Sequence, residues 1–305
     1  MVIRFKRKSW IEPTAATLPF RIFNTILMLA LSALFIAPFL LIAIASFTPE
    51  VEIAAKGFQF LPSQLTFYNY QYLFGSSEKF TTSLQATSLL TIVGTLNTLF
   101  FTSLGAYALS RKYLPYRKGM TFFVFFTMLV NGGLIPWYMV VNNLGLIDSF
   151  FALFIPGTIA TWNLIIMRNS FMSIPESLEE SAKIDGANDF TVFFRIILPM
   201  SMPIIATMIV YLAVGYWNEW YACMLFITRN EKLFTLQYLL REILNSSAAM
   251  NSRGAIDLRA AAKQAIPSES LKMAAVMVAT VPILCVYPFL QKYFVHGIMI
   301  GSIKE

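Results

Sequence analysis

Pro175-Glu-Ser-Leu-Glu-Glu-Ser-Ala-Lys-Ile-Asp-Gly-Ala-Asn-Asp-Phe-Thr-Val-Phe-Phe-Arg-Ile-Ile-Leu-Pro199 is the most highly charged short stretch of a chain that is otherwise mostly apolar. Pro175 suits the first turn of a helix, where its missing N–H costs nothing. Leu178, Ala182 and Asp185 fall on one face at 3.6-residue spacing, and Gly186 follows as a C-terminal stop. Asn188 or Asp189 can cap a second short helix carrying Phe190, Phe193, Phe194 and Ile197. Leu198-Pro199 ends that helix and turns the chain back into an apolar run. The expectation is two short amphipathic helices at a sharp angle, outside a membrane, with acidic and apolar groups on display.

The rest of the composition supplies the membrane. The 305 residues are 57% hydrophobic and 13% charged, with a mean hydropathy of +0.64. A soluble domain carries about 25% charged residues, so this is an integral membrane protein with no separate soluble core. Cys223 and Cys285 lie in or beside apolar runs, as buried thiols do, and give no disulfide framework. The one histidine, His296, has no partner for a metal site or triad. No G-x4-G-K-[ST] loop is present, so the chain does not bind ATP by that route. The net charge of +7 sits largely in loops beside spans, where orientation accounts for it and nucleic acid is not needed.

Taken in order, residues 1–22 carry Arg4, Lys6, Arg7, Lys8 and Arg21 and form a cytoplasmic segment. A first span runs from about Phe23 to Phe47, beyond the ~20 residues that cross ~30 Å of hydrocarbon. Ala43-Ile44-Ala45 resembles a signal-peptidase site, but the run before it is too long for a signal peptide. Residues 48–82 read as an external loop flecked with aromatics. The second span, about Ser83 to Leu109, carries Thr87, Thr91, Gly94, Thr98, Thr102 and Gly105 at three- and four-residue steps. Such a small, hydroxylated stripe suits close helix packing or a substrate-lining face. Arg111, Lys112, Arg117 and Lys118 then mark a cytoplasmic turn.

The third span, about Met120 to Val141, is broken by Asn131-Gly132-Gly133 and Pro136. Broken helices at membrane depth need protein or a water-filled cavity beside them, so Asn131 is either a pathway residue or a packing kink. The fourth span, about Phe150 to Met167, leads to the charged stretch, and the fifth runs from Met200 to Tyr221. It closes on Trp217, Asn218, Glu219, Trp220 and Tyr221. These are either an interfacial aromatic belt or the rings and polar groups that sugars prefer; a carboxylate at that depth costs about 2–3 kcal/mol unless it faces water or a partner. Residues 229–270 form a long external loop, basic against the usual rule, with amphipathic Thr235–Leu244 and alanine-rich Ala255–Ala265. Some of its bases could face an acidic solute or a binding protein. A sixth span, about Leu271 to Val295, leads to a cytoplasmic tail, 296–305. The permease domain is thus 23–295, all-α, with six transmembrane helices.

Glu180-Ser181-Ala182, three residues, Gly186, nine residues, Ile196, one residue, Leu198-Pro199 resembles the EAA loop of ABC importer permeases, with Ser181 where that pattern has alanine. Beyond the loop, Asn131-Gly132-Gly133-Leu134-Ile135-Pro136, Met167-Arg168-Asn169-Ser170-Phe171, Trp217-Asn218-Glu219 and the tail Gly297-Ile298-Met299-Ile300-Gly301-Ser302 look like the MalG-type permease of carbohydrate importers. The Asn-Gly-Gly break and the tail look closer to the branch for complex oligosaccharides, alginate-type acidic ones included. The resemblance covers roughly residues 20–305 and implies the type I importer permease fold in a bacterial inner membrane, with both termini cytoplasmic. It implies that Glu180, Ser181, Ala182, Asp185, Gly186, Ile196, Leu198 and Pro199 couple the chain to an ATPase, with Glu180 the docking contact and Gly186 the bend. The implied partners are a second, MalF-like permease, two ATPase subunits that hold the ATP and Mg, an external solute-binding protein, an oligosaccharide and membrane lipid. No cofactor is expected in this chain.

Three other readings compete. A permease for peptides or another non-sugar solute would carry the same loop. A secondary transporter would show several intramembrane carboxylates or a histidine relay, and only Glu219 qualifies. An enzyme would need a catalytic constellation, which the lone histidine does not supply.

Overall fold

The computed structural model describes residues 18–75, 77–252 and 269–301, with side chains outside 246–252 and 286–301. Regular structure among the described residues is entirely helical. Helix α1 spans Leu18–Ser46. The expected external loop holds two short helices, α2 (Glu50–Lys56) and α3 (Tyr68–Gly75). Its aromatic residues pack these pieces back onto the end of α1: Phe47 contacts the Phe67 ring at 5.3 Å and the Tyr70 ring at 4.9 Å. The Tyr70 hydroxyl lies 2.8 Å from Ser46 Oγ.

Helix α4 (Glu78–Ser110) is the axis of the molecule. Ser77 caps it by accepting the Phe80 N–H, and its 33 residues reach about 50 Å. Thr87, Gly94, Thr98 and Thr102 are buried along it, so the small-residue stripe packs against the helices described below as α7 and α10, with Thr98 also bordering the cavity between them. A Cβ on Gly94 would sit 2.8 Å from the Tyr216 ring; the close approach needs glycine there.

Three further apolar segments are bent. Helices α5 (Arg117–Leu129) and α6 (Leu134–Asn143) meet at 117°. The expected third span therefore doubles back on itself and is no single rod. Gly133 at φ +89° makes the turn, and Asn131 Oδ1 accepts the Gly133 N–H at 2.9 Å. The 3-10 turns of Phe150–Gly157 meet α7 (Thr161–Met172) at 53°. After α8 (Glu176–Ile184), α9 (Asp189–Met200) meets α10 (Met202–Trp217) at 83°. Leu198-Pro199 does not end its helix as expected; the turn falls at Ser201. Pro199 removes a backbone donor, and the turn before it, Phe193–Ile197, widens to a π-helix that accommodates the gap.

Helix α11 (Tyr221–Phe226) follows, then α12 (Leu236–Ser252) and α13 (Glu269–Gly301). The predicted apolar face of the long loop is real: Leu236, Leu239 and Leu240 are buried, in a cluster with Ala274 and Ala275 of α13. The predicted Ala255–Ala265 segment lies outside the described residues. Helices α1 and α4 are each long and apolar enough to cross a membrane, and each bent pair reaches that length as one broken span. Among the described residues that gives two spans, or five if each bent pair is one, against the six the sequence predicts; the predicted sixth falls on α13. The largest core joins Tyr107 of α4, Met167 and Phe171 of α7, Val192 and Phe193 of α9, and Ile205 of α10. It lies directly beneath α8.

Candidate coupling segment and inter-helix cavity

The charged stretch folds as its sequence predicts up to Asn188. Pro175 precedes α8, whose first turn carries Glu176 and Glu179, where negative charge meets the positive helix end. The helix stops in a Schellman arrangement: Gly186 N–H donates to Lys183 O at 3.0 Å and Ala187 N–H to Ala182 O at 2.9 Å. Gly186 sits at φ +85°, a left-handed conformation that glycine adopts freely. Asn188, not Asp189, caps the next helix, its Oδ1 accepting the Thr191 N–H at 2.8 Å.

Glu179 roots α8 to the body of the protein. It is 5% exposed, as is Arg111 just after α4, and the two form an ion pair through Arg111 Nη1. Arg111 Nη2 donates to Phe171 O at 3.1 Å and Nε to Ser110 Oγ at 2.9 Å, so one guanidinium ties α4, α7 and α8 together. Around it, Tyr113 OH lies 3.0 Å from Glu179 Oε1 and 2.9 Å from Asp189 Oδ1, donating to one at a time. Lys183 bridges Glu179 at 3.1 Å and Asp189 at 3.0 Å and sits 3.8 Å over the Tyr113 ring. Burial alone pushes the Glu179 carboxyl up, but hydrogen bonds from Arg111 and Lys183 outweigh it and hold the group below the usual carboxylate range. Burial works against the Lys183 ammonium, yet Asp189 and Glu179 hold its pKa above the ordinary lysine value.

The opposite side of α8 is open. Glu180, Ser181, Asp185 and Gly186 are exposed, and Ile184 is 86% exposed. Phe190 and Phe194 are also exposed. Ala182, Ile196 and Leu198 are half-buried against the core below, while Pro199 is exposed. The predicted coupling residues thus divide into a displayed face and a packed base. Sequence reasoning missed Glu179 and Arg111. Its one local signal was the Glu179–Lys183 i,i+4 spacing, which reads equally as a surface pair.

Between α7, α10 and the 3-10 turns lies a cavity of about 860 Å³. Its polar lining is Thr98, Asn163, Thr207, Tyr211, Tyr216, Asn218 and Glu219, with Trp137 and Trp162 among the apolar part. No lysine, arginine or histidine is among the described residues lining it. Of the predicted pathway residues only Asn218 and Glu219 reach this cavity. Asn131 instead closes its own turn. Trp217 Nε1 donates to Ala279 O at 2.9 Å and fastens α10 to α13. Trp220 lies under the Arg241 guanidinium at 3.7 Å, and Tyr221 starts α11 with its ring edge-on to Trp220. Asn218 Oδ1 accepts from Gln237 at 3.1 Å, and Glu219 Oε1 from the Ala222 N–H at 2.7 Å. Thr98 and Tyr216 share a hydrogen bond at 2.7 Å. Asn163, Thr207 and Tyr211 escaped the sequence reading because each sits within a mostly apolar run, and Tyr216 because it lies one residue before the stretch singled out.

Bent apolar segments border a largely apolar cavity that carries a few hydroxyl, amide and carboxylate groups, and a capped two-helix loop is rooted on the same bundle. The chain belongs to the family of binding-protein-dependent transport system inner membrane components, whose model matches residues 14–300. It is 42% identical over 284 residues to the polygalacturonan/rhamnogalacturonan transport system permease protein YtcP of Bacillus subtilis (strain 168), covering 93% of this chain and 96% of that one. It is 40% identical over 291 residues to protein LplC of the same organism, covering 95% and 97%. Among solved structures, a bacterial ABC transporter involved in import of the acidic polysaccharide alginate superposes with a TM-score of 0.79 at 30% identity, over 90% of this chain and 96% of that one. The fold is that of a type I ABC importer permease.

Proposed function

We propose that this chain is the permease subunit of an ATP-driven importer that moves an oligosaccharide across a bacterial inner membrane by alternating access. The observation that carries the proposal is the coupling segment: a stiffly rooted helix whose outer face, Glu180, Ile184 and Asp185, has no partner within the chain among the described residues. Such a face fits a groove on a separate ATPase, which would hold the ATP and Mg; the chain itself needs no cofactor. Closure of the ATPase dimer would push α8 as a rigid lever. The Arg111–Glu179 pair and the underlying core would carry that push to α4, α7 and α10, whose rearrangement opens the cavity to one side and then the other. Both termini and the 175–199 loop would face the cytoplasm. A second, MalF-like permease would complete the pathway, and an external solute-binding protein would deliver the cargo.

The named cargoes of the relatives favour a saccharide, and the cavity's tryptophans, tyrosines, amide and hydroxyl groups suit sugar faces and hydroxyls. An acidic sugar would need cations from outside the described lining, from the second permease or the 229–270 loop. A tagged copy isolated in mild detergent from native membranes tests the proposal, with mass spectrometry of what accompanies it. The expected companions are a P-loop ATPase and a second multi-span permease. A chain that purifies alone after crosslinking overturns the proposal and returns attention to Glu219 as a secondary transporter's carboxylate.

A further inference from the structure

A second cavity, of about 440 Å³, opens near the base of α8, lined by Arg117, Lys118, Thr121, Phe122, Phe125 and Arg168. Its electrostatics are one-sided. Among the described residues no carboxylate lines it, and none of its three cations has an acidic partner. Arg117 Nε and Arg168 Nε both donate to one carbonyl, Leu109 O, each at 3.0 Å. That shared acceptor gathers two like charges and neutralises neither. Thr121 Oγ1, on the same wall, is buried without a hydrogen-bond partner, which is costly for a polar atom. Helix α5 begins at Arg117 with no side-chain cap, so its positive dipole end adds to the positive potential beside these cations. Two guanidiniums and an ammonium, with an orphan hydroxyl beside them, make a site for a phosphate-bearing anion.

The surroundings decide between a soluble anion and a lipid. Phe122 and Phe125, which wall the cavity, continue into exposed Phe123, Phe126, Met128 and Leu129 along α5, a helix with no buried residue of its own. A free anion or an acidic protein loop gains nothing from that strip, whereas acyl chains do. The cavity also lies at the membrane end marked by the coupling segment, since Arg117 Nη2 contacts Met172 Sδ at 3.5 Å, just before α8. Basic pockets between spans at the cytoplasmic leaflet are where anionic headgroups are held. We propose that Arg117, Lys118, Arg168 and Thr121 bind the phosphate headgroup of an anionic phospholipid, whose acyl chains lie along the phenylalanines of α5. The orientation rests on the importer reading above. The lipid is thereby a fixed neighbour of the joint between α5, α7 and the coupling loop.

The test uses the assembled transporter in nanodiscs of phosphatidylcholine with phosphatidylglycerol as a minor component, and native mass spectrometry of the lipid retained on release. Wild type is expected to keep phosphatidylglycerol selectively. Lys118→Gln, an exposed position, is expected to lower its affinity about fivefold, and Arg117→Gln with Lys118→Gln about thirtyfold. Lys112→Gln, whose lysine already pairs with Glu176, should change nothing, and inorganic phosphate should not displace the lipid. Should the double variant fail to assemble, Lys118→Gln decides alone. Equal retention of both lipids, unchanged binding by Lys118→Gln, or displacement by inorganic phosphate overturns the proposal. So does an assembled wild-type complex with no bound lipid, which would assign the site to an acidic protein partner. Co-purification of the ATPase is scored separately, so the importer reading and the lipid site fail independently.

Discussion

Glu179 sets how stiffly the displayed helix is held, because it is the one buried carboxylate of α8. Removing one partner of a buried ion pair leaves the other desolvated and unpaired, at a cost of about 3–5 kcal/mol. Glu179→Ala is therefore expected to speed amide hydrogen exchange over residues 176–189, with Arg111 stranded against Phe171 O. Replacing both members by apolar residues of similar size, Arg111→Met with Glu179→Leu, should recover much of the protection, since no bare charge remains. Unchanged exchange in the single variant would show that the clamp does not hold α8. The same pair predicts a pH response. The folded-state pKa of Glu179 lies below its unfolded value of about 4.3, so its stabilisation is present above that pH and disappears as pH falls through the folded value. Proteolytic cleavage of 176–189 should rise in wild type below about pH 4, and be fast already at neutral pH in Glu179→Ala.

At the scale of elements, two glycines make opposite demands. Nothing lies within 4 Å of a Cβ added at Gly186, so substitution there is a matter of backbone conformation alone. Gly186→Val should cost about 1–3 kcal/mol at φ > 0, abolish uptake and leave membrane insertion intact. Gly186→Asn, a residue that tolerates the left-handed region, should keep most of the uptake. Equal uptake by all three would remove the Schellman stop from the coupling account. At Gly94 the constraint is space: Gly94→Ala drives a methyl into the Tyr216 ring, an overpacking worth about 1–3 kcal/mol, and a lower melting temperature in detergent is the expected result. The apolar segments, though not their bends, the α8 stop and a cap at Asn188 or Asp189 were legible, because hydropathy, glycine and asparagine act through their immediate neighbours. The bend at Ser201 was not, since serine carries no turn signature there and Pro199 drew the boundary two residues early. The Arg111 clamp was hidden for a different reason: its two members lie 68 residues apart, and a charge beside a span reads as an orientation signal. The Trp217–Tyr221 stretch was legible as a feature but not as a lining. Its rings are occupied by Ala279 and Arg241, contacts that only the fold brings about.

For the whole molecule, the claim is that one end of the bundle receives mechanical work and the cavity spends it on reorientation. The displayed face of α8 and the cavity are joined through α4, α7 and α10, whose shared core includes Tyr107, Met167, Phe171, Ile205 and Met208. The most direct measurement is site-directed crosslinking in the intact complex. Ile184→Cys in a Cys285→Ser background would be treated with a short thiol–amine reagent in membranes; Cys223 is buried as expected, but Cys285 is exposed. Val51→Cys, exposed at the start of α2, serves as the control. The account predicts that Ile184→Cys captures a P-loop ATPase, that ATP shifts the yield, and that Val51→Cys captures none. An ATPase captured from both positions, or from neither in a complex that still imports saccharide, would contradict it.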